Sequence, residues 1–372
     1  MTNKPSASSD DSTSPTYWSS VARLGFYRED WVTEVGPALS APPTPIPYAM
    51  IGCGLQATTV VSPSAERAGF RLSAVCDVNR ARAERATLGH GDVRVYSEYQ
   101  QLLRETDAEV IFVCGPPDLH HTAGLAVLES GRHLFTEKPP AWSSSDVAKM
   151  QDVAARAGRK VAVGLNKRHA PLYRHAMELL KSPPYGPPRV FRMSYSHWPV
   201  AELRDHLFFF SVHAVDLCLQ FMGPIEEIAI GRREFGGSRS LTVYAEHSSG
   251  STSVLALDTT VAGLRERLDL SGDEWLISVD DVTSIQWAHG AMMSTSSWQP
   301  HFAVPGPSSD SYVLAGYVGE MAAFHRAISS DQEPEAGLDA ARRAIDVLEL
   351  IGESPEGITH RRLEHAAAGQ DN

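Results

Sequence analysis

No stretch of this 372-residue chain is apolar enough to span a membrane, a task that needs roughly 20 consecutive apolar residues. The N-terminus likewise lacks the apolar core of a signal peptide. Positive charge is in deficit: 33 Lys and Arg stand against 45 Asp and Glu, a formal net charge of −12. That balance excludes a general nucleic-acid binder, which would carry a basic face, and a polybasic membrane anchor. Cysteine is scarce. The four present, Cys53, Cys76, Cys114 and Cys218, lie in apolar or glycine-turn contexts and read as reduced thiols of a cytoplasmic protein. The 15 histidines come with no His-x-x-x-His or Cys-x-x-Cys pair, so no metal site is predicted. A Gly-x-Ser-x-Gly elbow, a Walker-type phosphate loop and repeats of solenoid length are missing too.

What is present is a glycine turn. Residues 49–51 form a short apolar run that breaks at Gly52 and Gly54, and a helical pattern follows over 55–68, interrupted only at Pro63. In a dinucleotide-binding unit the first glycine allows the tight turn and the second lets the main chain approach a pyrophosphate. Ala57 supplies the third small residue, and the helix start offers free N–H groups and a positive dipole end. A second apolar strand, 72–76, ends in Asp77, about twenty residues on, where a carboxylate can accept from both ribose hydroxyls. Its charge favours NAD, because the 2′-phosphate of NADP would meet a like charge; Arg80 and Arg82 keep NADP open.

The length exceeds what one hydrophobic core usually serves, so more than one domain is expected. Residues 1–46 comprise a polar, disordered tail and an aromatic arm, residues 47–165 the dinucleotide-binding domain, and residues 166–372 a substrate and oligomerisation domain. The first domain alternates strands (93–96, 110–114, 133–135) with helices (79–88, capped by Asn79; 99–105; 119–130, ended by Gly131). Ligands of such sheets lie beyond the strand C-termini, so residues 115–121 and 136–140 face the cofactor cleft. The second domain carries strands at 190–198, 225–230, 240–247, 253–259, 266–271 and 274–279, then helices at 318–328 and 338–350.

Several of these segments together resemble the Gfo/Idh/MocA family of nicotinamide-dependent oxidoreductases. They are the turn at Gly52, Pro116-x-x-x-His120, Glu137-Lys138-Pro139, Asn166-Lys167-Arg168-His169-Ala170-Pro171, His213-Ala-Val-Asp216, and the closing stretch from Tyr317 to Ser354. The resemblance runs from about Tyr48 to about Leu363. It implies an α/β protein with an N-terminal Rossmann dinucleotide-binding domain and a C-terminal α+β domain whose open, mostly antiparallel sheet floors the site and pairs subunits. A homo-oligomer, dimer or tetramer, is the expected assembly.

The resemblance also implies an NAD(P)-dependent dehydrogenase or reductase acting on a small, sugar-like molecule. Cofactor contacts are expected from Gly52, Gly54, Leu55, Gln56, Asp77, Val78, Asn79, Gly115, Pro116, His120, Glu137, Lys138 and Asn166. Lys138 is the first catalytic candidate, since an ammonium beside the nicotinamide stabilises charge on the reacting oxygen and burial tunes its pKa. His213, whose side-chain type exchanges protons near neutrality, is the second. Asp216 either pairs with His213 or caps its helix. Lys138, Arg168, His197, Phe209 and His213 are the substrate-side candidates.

Here the chain departs from the family. Many sugar and inositol dehydrogenases of this kind carry an aspartate four residues before the histidine, and this chain has Phe209. The apolar run 207–210 either walls a site for a substrate with an apolar part or belongs to the core. Reduction of a C=O or C=N bond in a specialised metabolite is therefore an alternative activity, and a non-catalytic dinucleotide sensor is a third.

Overall fold

The computed structural model describes residues 44–290, 294–300 and 309–363; the predicted tail and aromatic arm lie outside the described residues. Strand β4 (Val110–Val113) reads Val-Ile-Phe-Val and is buried at every position, as a central parallel strand covered on both faces must be. Around it the first sheet runs β3-β2-β1-β4-β5-β6, with β1 (Ile46–Ile51), β2 (Phe70–Cys76), β3 (Arg94–Tyr96), β5 (His133–Thr136) and β6 (Val161–Val163). Every neighbour pairs in parallel, and the order reverses at β1 and β4, where ligands bind in doubly wound sheets.

The connecting helices are α1 (the π-helical turn Ala57–Val61 continuing as Ser62–Arg67), α2 (Arg80–Ala86), α3 (Tyr99–Glu105), α4 (Pro117–Glu129) and α5 (Ser144–Ala157). The π-turn has a local reason. Pro63 carries no N–H for the carbonyl of Thr59, and the Tyr312 hydroxyl donates to that oxygen instead, at 2.8 Å. Asn79 caps α2 by accepting from the Arg82 N–H, and Gly131 follows α4 with φ +76°, as the sequence suggested.

After β6 come a 3-10 turn (Asn166–His169) and α6 (Pro171–Leu179), then the second sheet. Its strands are β7 (Val190–Ser196), β8 (Ile225–Phe235), β9 (Ser238–His247), β10 (Thr252–Asp258), β11 (Arg265–Gly272), β12 (Trp275–Asp280), β13 (Ser284–His289), β14 (Ser294–Trp298) and β15 (Gly357–Arg362). They lie in the order β14-β13-β12-β11-β7-β10-β9-β8-β15. Only β7 and β10 pair in parallel. The sequence reading missed β13, β14 and β15; β15 is an edge strand with a single buried residue, Thr359, and so shows no apolar alternation.

Helix α7 lies across β7 and β10; it runs from Leu203–His206 through a second π-turn, Leu207–Ser211, into Val212–Met222. Between β14 and β15 come α8 (Ser311–Leu314), α9 (Tyr317–Ser329) and α10 (Leu338–Glu353). Helix α9 returns to the first sheet and buries Met321 and Phe324 in its core. There Phe324 joins a ring stack with Phe70, Phe112 and Phe135, and the Phe112 centroid lies 4.9 Å from that of Phe135. Helix α10 packs between α5 and α7.

Candidate active site

The glycine turn is fixed by close packing. Gly52 has φ +91°, and a Cβ there would lie 2.0 Å from the Cys114 carbonyl oxygen, so no other residue fits. Gly54 is different: a Cβ there would meet nothing within 4 Å. The open space at Gly54 and a helix start without a side-chain cap suit a pyrophosphate. Leu55 and Gln56 stand exposed beside it.

Asp77 serves the turn first. Its Oδ2 accepts from the Cys53 N–H and its Oδ1 from the Asn79 N–H, both at 2.8 Å. The carboxylate thus braces the end of β2 against the glycine turn, and each oxygen keeps a further lone pair that a ribose hydroxyl can reach. Val78, 91% exposed, and Asn79 form the accessible rim.

At the end of β5, the Glu137 N–H donates to the Val113 carbonyl at 3.0 Å. Its Oε1 accepts from Gln56 Nε2 at 3.2 Å and its Oε2 from the Lys138 N–H at 3.1 Å. A Cβ at Gly164 would sit 2.8 Å from Oε2, so the glycine after β6 makes room for this carboxylate. Lys138 then turns its ammonium toward α7. Nζ donates to the main-chain carbonyl of Phe209 at 2.6 Å and lies 6.0 Å from that ring's centroid. Burial pulls the Lys138 pKa below the ordinary lysine value, and nearby Lys167 adds to this while Glu137 opposes it. In place of a carboxylate, this chain offers Lys138 a carbonyl oxygen from the π-turn.

His213 sits one turn further along α7. It is buried, and its Nδ1 has no partner among the described residues. Burial, with the charges of Lys138 and Lys167, holds its pKa well below the ordinary histidine value. This favours the neutral imidazole, whose Nδ1 is free to form a hydrogen bond with an incoming group.

Other candidates are engaged elsewhere. His120 is a strut: its Nε2 accepts from the Gly115 N–H at 3.0 Å, so the proton on Nδ1 is donated to the Pro139 carbonyl at 2.8 Å. Burial brings its pKa down to about 4. It ties the loops after β4 and β5 together rather than turning its side chain to a cofactor, while Gly115 and Pro116 remain exposed at the cleft. Asn166 donates to the Ala315 carbonyl at 2.7 Å and holds the approach to α9. Arg168, expected on the substrate side, is committed to Asp216 through Nε and Nη2 at 2.7 and 2.6 Å. Asp216 is therefore neither a partner of His213 nor a helix cap. Burial holds its pKa above the ordinary carboxylate value despite the guanidinium. His197 is fully buried, hydrogen-bonded to the Trp198 carbonyl and to His206 Nδ1, and stacked on Phe210 at 3.8 Å. It supports the π-turn from beneath and does not face the cleft. Phe209 is half-buried, with its ring 5.7 Å from that of Trp142.

Sequence reasoning missed three groups. Glu266 on β11 pairs with Lys167. Tyr317 at the start of α9 lies beside Gln56, and burial raises its pKa to about 12. Glu320, one turn on and 2% exposed, is pushed well above the ordinary carboxylate value by burial, then by Glu137 and Asp216. No local signal marks them, because their partners are remote in sequence.

Residues 46–165 match a family model described as an oxidoreductase family with an NAD-binding Rossmann fold. The chain is 32% identical over 128 residues to the D-glucoside 3-dehydrogenase of Escherichia coli (strain K12). That match covers 34% of this chain and 36% of the relative, so the chain spans about a third of that protein's length. Over 298 residues it is 23% identical to an uncharacterized oxidoreductase, YrbE, of Bacillus subtilis (strain 168), covering 74% of this chain and 85% of the other. The crystal structure of a dehydrogenase from Chromobacterium violaceum superimposes with a TM-score of 0.77 at 23% identity, covering 83% of this chain and 94% of that one. At that identity the likeness is one of fold.

Proposed function

We propose that this chain, whose residues 46–165 match the Gfo/Idh/MocA oxidoreductase family model with its NAD-binding Rossmann fold, moves a hydride between a bound nicotinamide and a hydroxyl or carbonyl carbon of a sugar-like molecule. The observation that carries this reading is Lys138. Its ammonium lies at the C-terminal end of β5, desolvated and facing the buried, neutral His213 helix. Gly52, Gly54 and the start of α1 would hold the pyrophosphate, and Asp77 with the rim at Val78 and Asn79 would receive the ribose. The nicotinamide would supply the hydride acceptor or donor. NAD is the preferred form, supported by the buried carboxylate of Asp77 and the family description; Arg80, on the exposed side of that rim, is the group that would serve NADP.

In the oxidising direction the lowered Lys138 pKa gives a fraction of free amine that takes the hydroxyl proton. In the reducing direction the ammonium returns it. His213, neutral and with Nδ1 unpartnered, holds the reacting oxygen or relays that proton. A second reading has its own observation: the half-buried Phe209 ring beside Lys138, backed by Trp142, would accept an apolar substituent, as in a reductase of a specialised metabolite. Working as a homo-oligomer is part of the proposal.

The test is absorbance at the NADH band with NAD and a panel of pyranosides, aldoses and cyclitols, with NADH and hydrophobic ketones as the second arm. Growth of the band with a sugar is the expected result. Turnover only with the ketones selects the second reading. Tight dinucleotide binding whose redox state never changes with either class would make the protein a sensor and contradict both.

A further inference from the structure

Glu266 lies near the start of β11, directly opposite Tyr195 of β7 in an antiparallel register. Residues paired in this way share a face of the sheet. This is the face that α7 covers, and the Tyr195 ring lies 6.3 Å from that of His213. Glu266 is 5% exposed. Its Oε1 is bound by Lys167 Nζ, and its N–H donates to Asp281 Oδ1 at 2.9 Å, which fixes the strand start. Its Oε2 is buried and has no partner among the described residues. Buried carboxylate oxygens are seldom left unmet, so such an atom points to a donor that arrives from outside. The charge of Lys167 reaches both Lys138 and His213. That of Glu266 reaches Tyr173, whose hydroxyl is also buried and without a partner among the described residues, and Tyr317, which lies beside Gln56 of the nucleotide turn. The ion pair therefore lies near Lys138 and His213, on the sheet face that α7 covers.

We propose that Glu266, held in place by Lys167, accepts a hydrogen bond from a substrate hydroxyl next to the reacting carbon, so that the site selects a vicinal diol or polyol. This rests on the hydride-transfer reading and deepens it. The pair supplies from β11 a fixed carboxylate that the helix position at Phe209 lacks. The carboxylate would not take the reacting proton, which stays with Lys138 and His213; it would read the neighbouring hydroxyl. A site built this way rejects an analogue without that hydroxyl, because the buried oxygen is again left unmet.

The test compares the best sugar of the panel with its monodeoxy analogues in the wild-type protein, in Glu266→Gln, and in Lys167→Met/Glu266→Gln, which leaves no unpaired buried charge. Loss of one hydroxyl beside the reacting carbon is expected to lower wild-type kcat/KM by about 10–100-fold, the range for a hydrogen bond to a charged group. In both variants that ratio should shrink about tenfold, while NADH affinity stays as in the wild type. An unchanged ratio in variants that bind NADH would make the pair purely structural, or Oε2 the seat of a bound water, and overturn the assignment alone. No turnover of any sugar by the wild-type protein would overturn the hydride-transfer reading, and this assignment with it.

Discussion

Lys138→Met is expected to lower kcat by about 10²- to 10⁴-fold, the usual contribution of a positioned acid or base, with dinucleotide affinity little changed. Among the described residues the side chain makes one hydrogen bond, to the Phe209 carbonyl, and methionine fills nearly the same volume, so the fold is retained. Lys138→Arg separates proton exchange from plain charge. Guanidinium stays protonated in proteins, so arginine should not restore the oxidising reaction although it restores the positive charge. The pH profile follows from the same burial. Because the Lys138 pKa is lowered, the rate of alcohol oxidation rises with pH through an inflection below the ordinary lysine value, and that inflection disappears in Lys138→Met. A kcat within threefold of wild type in the methionine variant would remove Lys138 from the chemistry.

Asp216→Asn carries the largest expected effect on stability. Both partners are nearly inaccessible, with side chains 8% and 1% exposed, and asparagine leaves the guanidinium of Arg168 buried without its counter-charge. Breaking a buried pair on one side typically costs about 3–5 kcal/mol, to be read as a lower urea midpoint. The double variant Arg168→Met/Asp216→Leu should lose much less, since no unpaired charge remains. The pair also joins the turn after β6 to α7 one helical turn from His213, so Asp216→Asn should lower kcat as well. Equal midpoints for Asp216→Asn and wild type would mean that water reaches the site and the pair bears little weight.

The parts of the molecule that could be read from sequence are those built from neighbours in the chain. Gly52, Gly54 and Asp77 lie within one strand-turn-helix-strand unit, where the backbone at Gly52 admits no side chain and the Asp77 carboxylate accepts from the N–H groups of the same unit. The strand and helix rhythm of the first domain follows from apolar runs buried on both faces. The second sheet was harder, because β7 is inserted between β10 and β11 and the polar edge strand β15 carries no pattern. The site was legible only in part for the same reason. Lys167 and Glu266 are 99 residues apart, and Arg168 and Asp216 are 48 apart, so cations that look like surface residues in the sequence turn out buried and paired. His120 and His197 illustrate the converse: residue type suggested chemistry, whereas both imidazoles hold main-chain carbonyls and brace loops around the site. At Phe209 the sequence identified a missing carboxylate, but only the π-turn reveals that the main-chain carbonyl of the same residue meets Lys138.

Hydride transfer in this chain requires a nicotinamide between the two sheets with Lys138 beside its reactive face. A crystal structure of the chain grown with NADH tests it most directly. The expected result is the pyrophosphate on the turn at Gly54 and the nicotinamide ring between the end of β5 and α7, with Lys138 Nζ and His213 bordering the same small space. A dinucleotide bound elsewhere, or a ring turned away with the Lys138 ammonium directed into bulk water, would contradict it.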